Sequence, residues 1–382
     1  MKRKFVRAVG IALGVLIFLF FIIALGGPIM ARLGVEPFCI QGEWPHLNLV
    51  SCGTTEVVSP TVTPIAVPSQ NEQAPIPVIV DDDGSPDGTI ALLYFLSNPI
   101  FDVQAVTISQ GEAHPDLFAQ HILQLLAGLG RRDIPVGAGS PIPLEGNNAF
   151  PDPWRQASDH FWDIELPPTT VQPEASSTAE LIVEIVNSSA QPLLVFISGT
   201  HTNLAEALRL DPGIVDNIRN VYIMGGSVYV PGNIKSDWPE IDNRVAEWNI
   251  WADPVAANEV FNSGLPLHLI PLDATRKVTW TPADLAAWRS SGSPEGTWAG
   301  DLLQWMLNSW SPEGVYIWDL TAAVVAANPS TCPEVSLALD IVTSPGSEQG
   351  QTRVIQDVPN ISVCVDPDVG QIKSLSASSF IK

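Results

Sequence analysis

Short apolar runs alternate with helical patterns from about residue 77 to the end of the chain. The runs "VIV", "VQAVTIS", "PLLVFIS", "NVYIM" and "LPLHLI" have the length and composition of buried strands. Between them, segments such as "DLFAQHILQLLAGLG" and "SSTAELIVEIVN" show helical periodicity, and the second opens with Ser177 and Glu180 in capping-box spacing. This alternation predicts an α/β domain with a mostly parallel sheet and helices on both of its faces.

Polar residues or glycines follow several of these predicted strands. They are Asp81, Asp82 and Asp83 after "VIV", Ser198 and Thr200 after "LLVFI", Gly225 and Gly226 after "VYIM", and Asp273 after "LIPL". Ligands of open α/β sheets bind outside the carboxyl ends of the strands. We therefore expect one functional site at one edge of the sheet.

The N-terminus has the composition of a membrane anchor. Four basic residues lie within the first seven positions, and residues 8–31 carry no charge. This apolar stretch is longer than the roughly 7–15 residues of a signal peptide, and a bilayer span needs about 20. Residues 1–31 are therefore predicted to be a single uncleaved transmembrane helix, with the basic flank cytoplasmic and the rest of the chain extracytoplasmic. A cleaved signal, and hence a secreted protein, is the alternative.

Residues 32–76 are rich in proline and threonine, which favours an extended extracytoplasmic linker ahead of a folded domain at 77–382. In an oxidising compartment the four cysteines suggest the pairs Cys39–Cys52 and Cys332–Cys364, each close in sequence. The formal net charge of −23 argues against nucleic acid as a partner. No Cys/His spacing indicates zinc.

The stretch "PVIVDDDGSPDGTIALL" places four aspartates within seven positions. Because alternate side chains of a strand share a face, Asp81 and Asp83 are predicted to point together and Asp82 to point away. Asp87 falls at the start of a helix, where the helix dipole favours negative charge. A helix cap would use only one acid, so a hard cation bound by oxygens, Ca²⁺ or Mg²⁺, explains the cluster better.

This stretch resembles the opening of the inosine–uridine type nucleoside hydrolases, which have an acidic DxD, an aspartate four residues on and an apolar helix. Five further segments resemble that family in the same order: "RRDIPVGAGSPIPL", "SGTHTNLAEALRLDP", "NVYIMGGSV", "EWNIWADPVAANEVFNSGLPLHLIPLDAT" and "WDLTAAVVAANP". The resemblance covers nearly all of residues 77–382. It implies a Rossmann-like α/β fold and an enzyme that hydrolyses the N-glycosidic bond of ribonucleosides with the help of Ca²⁺.

The resemblance also implies roles for individual residues. Asp83 would be a calcium ligand and the general base that takes a proton from water, and Asp319 and the backbone oxygen of Ser198 would complete the ligand set. The ribose would be held by Asp87, Asn233, Glu247 and Asn249, with Met224 beneath it. Two alternatives stay open from the residues alone: residues 247–249 as the polar start of a turn, and Asp319 as a helix N-cap. Asp273 is expected to be structural.

Three positions depart from the family pattern. Gly88 stands where the family has a second adjacent aspartate, and Asp82 is not expected to replace it because it should point off the other face. Glu112 stands where the family has an asparagine near the ribose. Trp318 replaces a histidine that protonates the leaving base in many members.

Two features, "WD" at residues 318–319 and "EWN" at residues 247–249, resemble the purine-preferring branch of the family. In that branch, indole rings sandwich the base. Trp248 and Trp318 are thus candidates for stacking on a purine, and Trp154 or Trp162 for a further wall. His160 and His114 are candidate acids for the leaving base.

Together these features predict a membrane-anchored, extracytoplasmic hydrolase of purine nucleosides. A non-catalytic protein that binds ribose or a nucleoside is one alternative, and a hydrolase of another ribosyl compound is a second. The partners expected are a small-molecule nucleoside and, through the N-terminal helix, a membrane. Assembly into a homo-oligomer is left open.

Overall fold

A computed structural model describes residues 38–41, 48–51 and 74–380 of the chain. The first two segments form the antiparallel strands β1 (Phe38–Gln41) and β2 (Asn48–Ser51). They belong to one compact unit, and the chain from Gln73 onward forms another. The predicted anchor at residues 1–31, most of the linker and Cys52 lie outside the described residues, so the Cys39–Cys52 pair stays a prediction. Within the described residues, no helix has both the length and the apolar character needed to cross a membrane.

Twelve further strands follow in the second unit. They are β3 (Ile76–Asp82), β4 (Phe101–Ile108), β5 (Val136–Ala138), β6 (Leu193–Ile197), β7 (Ile218–Met224), β8 (Leu267–Ile270), β9 (Thr279–Trp280), β10 (Val315–Tyr316), β11 (Glu334–Leu337), β12 (Leu339–Ile341), β13 (Thr352–Val354) and β14 (Ile361–Cys364). Eight of them form one sheet in the order β11-β14-β8-β7-β6-β3-β4-β5. All its neighbours pair in parallel except β11, which runs antiparallel to β14. The predicted α/β domain with a mostly parallel sheet is confirmed.

Helices connect the strands. They are α1 (Pro86–Ser97), α2 (Pro115–Gly128), α3 (Asp152–Asp159), α4 (Thr178–Ser188), α5 (Thr202–Leu210), α6 (Ile234–Asp237), α7 (Trp248–Ala252), α8 (Pro254–Phe261), α9 (Leu272–Thr275), α10 (Pro282–Ser290), α11 (Pro294–Ser309), α12 (Trp318–Ala327) and α13 (Val369–Phe380). Short 3₁₀ turns occupy Phe161–Asp163, Pro212–Asn217 and Pro329–Thr331. A disulfide joins Cys332 to Cys364 at the end of β14, the pair expected from the sequence.

The central strand β3 divides the core into two layers. Val78 and Val80 pack on the layer that contains α1, α11 and α12, whereas Ile79 packs on the layer that contains α4, α5 and α8. Burial on both faces explains why this strand is a continuous apolar run rather than an alternating one. Because side chains alternate along β3, Asp81 points to the face of Ile79 and Asp82 points to the face of Val78 and Val80.

The turn from β3 into α1 is fixed by its own residues. Gly84 has a φ of +88°, and a β-carbon there would overlap that of Ala113, so glycine is required. Ser85 is the N-cap of α1 and its hydroxyl accepts the backbone N–H of Gly88 at 2.9 Å, with Pro86 at the first helical position. This short turn places the acids on both sides of it within one small region.

Candidate active site

A cavity of about 640 Å³ opens where several of the strands end. Asp83 follows β3, Ser198 follows β6, and Met224 ends β7, so the predicted convergence of strand ends is present in the structure. Twelve of the predicted site residues line the cavity: Asp83, Asp87, Glu112, Trp154, Ser198, Met224, Asn233, Glu247, Trp248, Asn249, Trp318 and Asp319.

Direct hydrogen bonds connect the acids from distant parts of the chain. The Ser85 hydroxyl donates to Asp319 Oδ2 at 3.1 Å, and the backbone N–H of Asp319 donates to Asp87 Oδ2 at 3.3 Å. The backbone N–H of Glu112 donates to Asp83 Oδ2 at 3.3 Å. The starts of α1 and α12 and the end of β3 therefore bring their carboxylates to one end of the cavity.

Asp319 is not the N-cap of its helix. Ile317 occupies the N-cap position of α12, where no side chain bonds to the helix backbone. The Asp319 carboxylate instead accepts from Ser85, more than two hundred residues away in sequence. The alternative that Asp319 serves only as a cap is therefore wrong.

We define the acidic cluster as Asp82, Asp83, Asp87, Glu112 and Asp319. Burial raises the pKa of Asp87 to about 6 and, with the Asp87 charge adding to it, the pKa of Asp82 to about 8. Burial and the charges of the neighbouring acids hold the pKa values of the other three well above their ordinary range. Of the nine ion pairs in the described part of the chain, none includes a member of the cluster.

The three consecutive aspartates point differently from the sequence prediction. Asp81 turns away from the cluster, and its Oδ1 accepts from the Thr107 hydroxyl and from Asn203 Nδ2, both at 2.7 Å. Asp82 shares the face of Val78 and Val80, on which α1 packs, and it lies against Gly88 at the start of that helix. The prediction that Asp81 points with Asp83 while Asp82 points away is wrong, because the helix carrying Asp87 packs on the face of the strand opposite to the expected one.

The predicted ribose-binding residues form a second, mostly amide-lined part of the cavity. Asn249 Nδ2 donates to the Ser198 carbonyl at 3.3 Å and to the Met224 carbonyl at 3.1 Å. Asn233 Oδ1 is buried and has no partner within the described residues. An unpartnered buried amide oxygen costs free energy unless a ligand donates to it, which suits a hydroxyl-rich ligand.

Glu247 has a structural role as well as a place in the cavity. Its carboxylate caps α7 by accepting the backbone N–H groups of Asn249 at 3.0 Å and Ile250 at 3.3 Å, and it accepts that of Gly226 at 2.9 Å. Burial raises its pKa to about 7 although these hydrogen bonds oppose the shift. A carboxylate can accept further hydrogen bonds, so capping α7 does not prevent contact with a ligand.

Aromatic side chains supply much of the remaining lining, in two groups. In the first group Trp248 stacks on Phe150 with ring centroids 5.0 Å apart and touches Trp154. In the second, Trp318 contacts Tyr316 at 5.7 Å and Trp310 at 6.1 Å, and Trp305 also lines the cavity. Phe150, Trp305, Trp310 and Tyr316 also line the cavity and were not predicted from the sequence, although the run "WSPEGVYIWD" surrounds Trp318 with aromatic residues. Trp162, one of the two suggested further walls, is buried in the core and Trp154 is the one that lines the cavity.

Neither candidate histidine reaches the cavity. His160 is exposed and its Nδ1 pairs with the Gln156 carbonyl at 2.7 Å, while half-buried His114 pairs through Nδ1 with Asp159 at 2.7 Å. The three residues after His160 have positive φ values and carry Phe161 and Trp162 into the core, which leaves His160 outside. No histidine is among the described residues that line the cavity, so their proposed role as leaving-group acids has no support from their positions.

The acidic cluster fits a hard cation in its chemistry. Asp82 Oδ2 and Asp83 Oδ1 are buried without a hydrogen-bond partner among the described residues, and carboxylate oxygens are the ligands that Ca²⁺ and Mg²⁺ prefer. As the side chains stand, the described residues contain no group of three or more His, Cys, Asp or Glu arranged to hold a metal ion. The carboxylates are thus candidate ligands, but they do not form a ready-made metal site. Their side chains would have to reorient to bind an ion.

Comparison with known proteins yields one family. Residues 78–374 match the family described as inosine-uridine preferring nucleoside hydrolase. The pyrimidine-specific ribonucleoside hydrolases RihA of Enterobacter sp. (strain 638) and of Salmonella schwarzengrund are each 31% identical over 303 residues, covering 77% of this chain and 94% of theirs. Two solved structures share the fold with a TM-score of 0.71. A purine-preferring ribonucleoside hydrolase from Gardnerella vaginalis is 24% identical in sequence, and the match covers 80% of this chain and 98% of that one. A plant nucleoside hydrolase is 25% identical, and the match covers 80% of this chain and 99% of that one.

Proposed function

The chain belongs to the inosine–uridine preferring nucleoside hydrolase family and is an enzyme acting on N-glycosidic bonds, and we propose that its substrates are purine ribonucleosides. The observation that carries this proposal is the cavity itself, which joins four members of the acidic cluster, all except Asp82, to two groups of aromatic rings. Carboxylates suit the positive charge that develops on a ribose losing its base, and indole rings suit a planar purine. Family membership argues against a protein that only binds ribose.

We propose that a water molecule attacks the sugar and that Asp83 and the acids beside it prepare this water for the attack. Asp83, Asp319 and the Ser198 carbonyl would hold Ca²⁺, which when bound orients and acidifies a water molecule. Asp83 takes a proton from the water as its oxygen bonds to the anomeric carbon and the bond to the base breaks. The unpartnered Asp83 Oδ1 is the acceptor atom available for that proton.

The ribose is positioned by the other polar residues of the cavity. The carboxylates of Asp87 and Glu247 accept hydrogen bonds from its hydroxyls, and the amides of Asn233 and Asn249 can accept or donate them. Met224 packs beneath the ring. Holding the sugar in one orientation removes much of the entropic barrier. The surrounding carboxylates stabilise the oxocarbenium-like transition state at the point where its charge forms.

The departing purine receives its proton from solvent in this scheme. No histidine is available among the described lining residues, whereas Trp248 and Trp318 both line the cavity and are the indole rings that we assign to stacking on the base. Stacking disperses the charge of a protonated purine more effectively than that of a smaller pyrimidine, which favours purine substrates.

Hydrolysis of a nucleoside panel tests the substrate class. The full-length chain is incubated with inosine, adenosine, guanosine, uridine and cytidine while reducing sugar is assayed. We expect kcat/KM at least tenfold higher for the best purine nucleoside than for either pyrimidine. Faster release of ribose from uridine or cytidine would place the chain with the pyrimidine-specific relatives instead, and no ribose from any of the five would indicate another ribosyl compound.

Replacing Trp318 by alanine tests the stacking role. We expect kcat/KM for inosine to fall by about 5- to 30-fold, corresponding to about 1–2 kcal/mol of lost stacking in a desolvated site. Trp298→Ala is the matched control, because that partly buried indole packs on the core and does not line the cavity. Equal losses in the two variants would show that the effect of Trp318 is on stability alone.

We also propose that residues 1–31 anchor the enzyme in the cell membrane as a single span with the catalytic domain extracytoplasmic. The uncharged stretch at 8–31 and its basic flank support this proposal. Protease added to intact cells should then degrade the domain while the cells remain sealed. Protection of the domain until the cells are lysed would contradict the proposal.

A further inference from the structure

Gly88 leaves a space that another residue fills. A β-carbon at position 88 would overlap both carboxylate oxygens of Asp82 and would lie 2.7 Å from its Cγ. The Asp82 carboxylate therefore occupies the volume into which a side chain at position 88 would project. The same carboxylate would have no room there if residue 88 were anything larger than glycine.

The hydrogen bonds of Asp82 account for only part of its carboxylate. Its Oδ1 accepts the backbone N–H of Gly84 at 3.0 Å, which stabilises the turn before α1. Its Oδ2 has no partner among the described residues, and because the whole residue is only 1% exposed, solvent does not supply one. A turn cap explains one oxygen and leaves the other unsatisfied, at a cost that a bound cation removes.

The neighbours of Asp82 are the acids that would hold the cation. The Asp82 carboxylate lies against Gly88, which follows Asp87 in α1, and Asp87 Oδ2 in turn accepts the backbone N–H of Asp319 at 3.3 Å. Asp83 is the next residue along the chain. Asp81, one residue earlier on the same strand, also has a buried Oδ2 without a partner among the described residues, but its Oδ1 accepts from Thr107 and Asn203 on the other face of the strand. The two adjacent aspartates thus differ in surroundings, and only one of them faces the cluster.

We propose that Asp82 is a ligand of the divalent cation together with Asp83 and Asp319, and that Gly88 is glycine because the Asp82 carboxylate occupies its side-chain space. This inference rests on the proposed function, in which a divalent cation takes part. It assigns the third carboxylate of the site to the strand β3 rather than to the first turn of α1.

Calcium titration by calorimetry tests this assignment without reference to activity. The full-length chain is first stripped with chelator and exchanged into metal-free buffer, and CaCl₂ is then added to wild type and variants. We expect one Ca²⁺ per wild-type chain and at least a tenfold higher Kd for Asp82→Asn, which keeps the shape and the bond to Gly84 but removes the charge. Asp81→Asn is the matched control and should stay within about twofold of wild type. Thermal melts in chelator verify that each variant is folded.

Relocating the carboxylate provides a second and stricter test. Gly88→Asp alone should bind Ca²⁺ weakly, because its side chain overlaps that of Asp82. Combining it with Asp82→Ser frees the space, and the double variant should recover most of the wild-type affinity. A double variant that binds Ca²⁺ no better than Asp82→Ser alone would contradict the proposal that a carboxylate at position 82 or at position 88 fills the same space and supplies the same ligand.

The possible failures are separable. Unchanged affinity in Asp82→Asn, together with loss of binding in Asp83→Asn, would overturn the role of Asp82 and leave the proposed function intact. If wild type binds no Ca²⁺, the inference fails, and nucleoside hydrolysis by the same stripped protein shows whether the proposed substrate class survives without a metal.

Discussion

Asp83→Asn is expected to lower kcat for inosine by a factor of about 10²–10⁴, the range that general bases contribute. Asparagine keeps the shape of the side chain and can still accept the backbone N–H of Glu112, but it cannot take a proton from water. Steady-state release of reducing sugar measures the effect. Asp81→Asn is the control, since that carboxylate faces Thr107 and Asn203 and not the cavity.

The Asp83 prediction also covers chelation. Burial and the charges of Asp82 and Glu112 hold the pKa of Asp83 well above its ordinary value, so removing a cation favours the protonated carboxyl, which cannot take a proton from water. Thorough chelation of the wild type should therefore reduce kcat about as much as the substitution does. A kcat within tenfold of wild type in Asp83→Asn, with a normal melting temperature, would remove Asp83 from the proposed mechanism.

The sequence was sufficient to predict the central architecture. Continuous apolar runs such as that around Val78 and Val80 have to be buried on both faces, and only a sheet covered by helices provides this. The antiparallel edge strand β11 was not predicted, because all four of its residues are exposed or partly exposed and it has no apolar run of its own. Pairing at a sheet edge depends on which strand is already there, here β14.

The direction of side chains at the strand end was less predictable. Alternation along β3 correctly separates Asp81 from Asp82, but the sequence does not say on which face α1 packs. That choice depends on the turn at Gly84, whose positive φ sends the chain back over Val78 and Val80. The close approach of Gly88 to Asp82 follows from the same turn and becomes visible only in three dimensions.

The cavity walls show a different limit of sequence analysis. Trp318 was singled out because it stands beside an aspartate in a recognisable segment, whereas Phe150 and Trp305 come from segments with no motif. His160 was a reasonable candidate by proximity in sequence to Trp154. The left-handed backbone at Phe161 and Trp162 turns it to solvent, and no propensity argument predicts three consecutive residues at positive φ.

The second large effect is expected in the stability of the metal-free enzyme as the pH changes. Burial raises the pKa of Asp81 and of Glu247 to about 7, that of Asp87 to about 6 and that of Asp82 to about 8. Buried His201, with its pKa lowered to about 3, acts in the opposite direction below about pH 6.5, but it is one group against several acids. The folded chain therefore holds more protons than the unfolded chain between about pH 4 and pH 8. Its free energy of unfolding must fall as the pH rises through this window, which is the opposite of the trend for a carboxylate in an ion pair.

We expect the melting temperature in chelator to fall by on the order of 10 °C or more from pH 5 to pH 8, because each pH unit through which one of these buried carboxyls loses its proton costs about 1.4 kcal/mol of stability. Added Ca²⁺ binds the folded chain, favours the ionised carboxylates and should raise the melting temperature far more at pH 8 than at pH 5. Asp82→Asn should make the pH dependence in chelator less steep, because it removes one of the buried acids, whereas Asp216→Asn, at an exposed position, should leave it unchanged. A melting temperature that is constant or rises between pH 5 and pH 8 in chelator would mean that the cluster is neutralised by something other than protons or a cation, and would contradict the electrostatic basis of the proposed metal site.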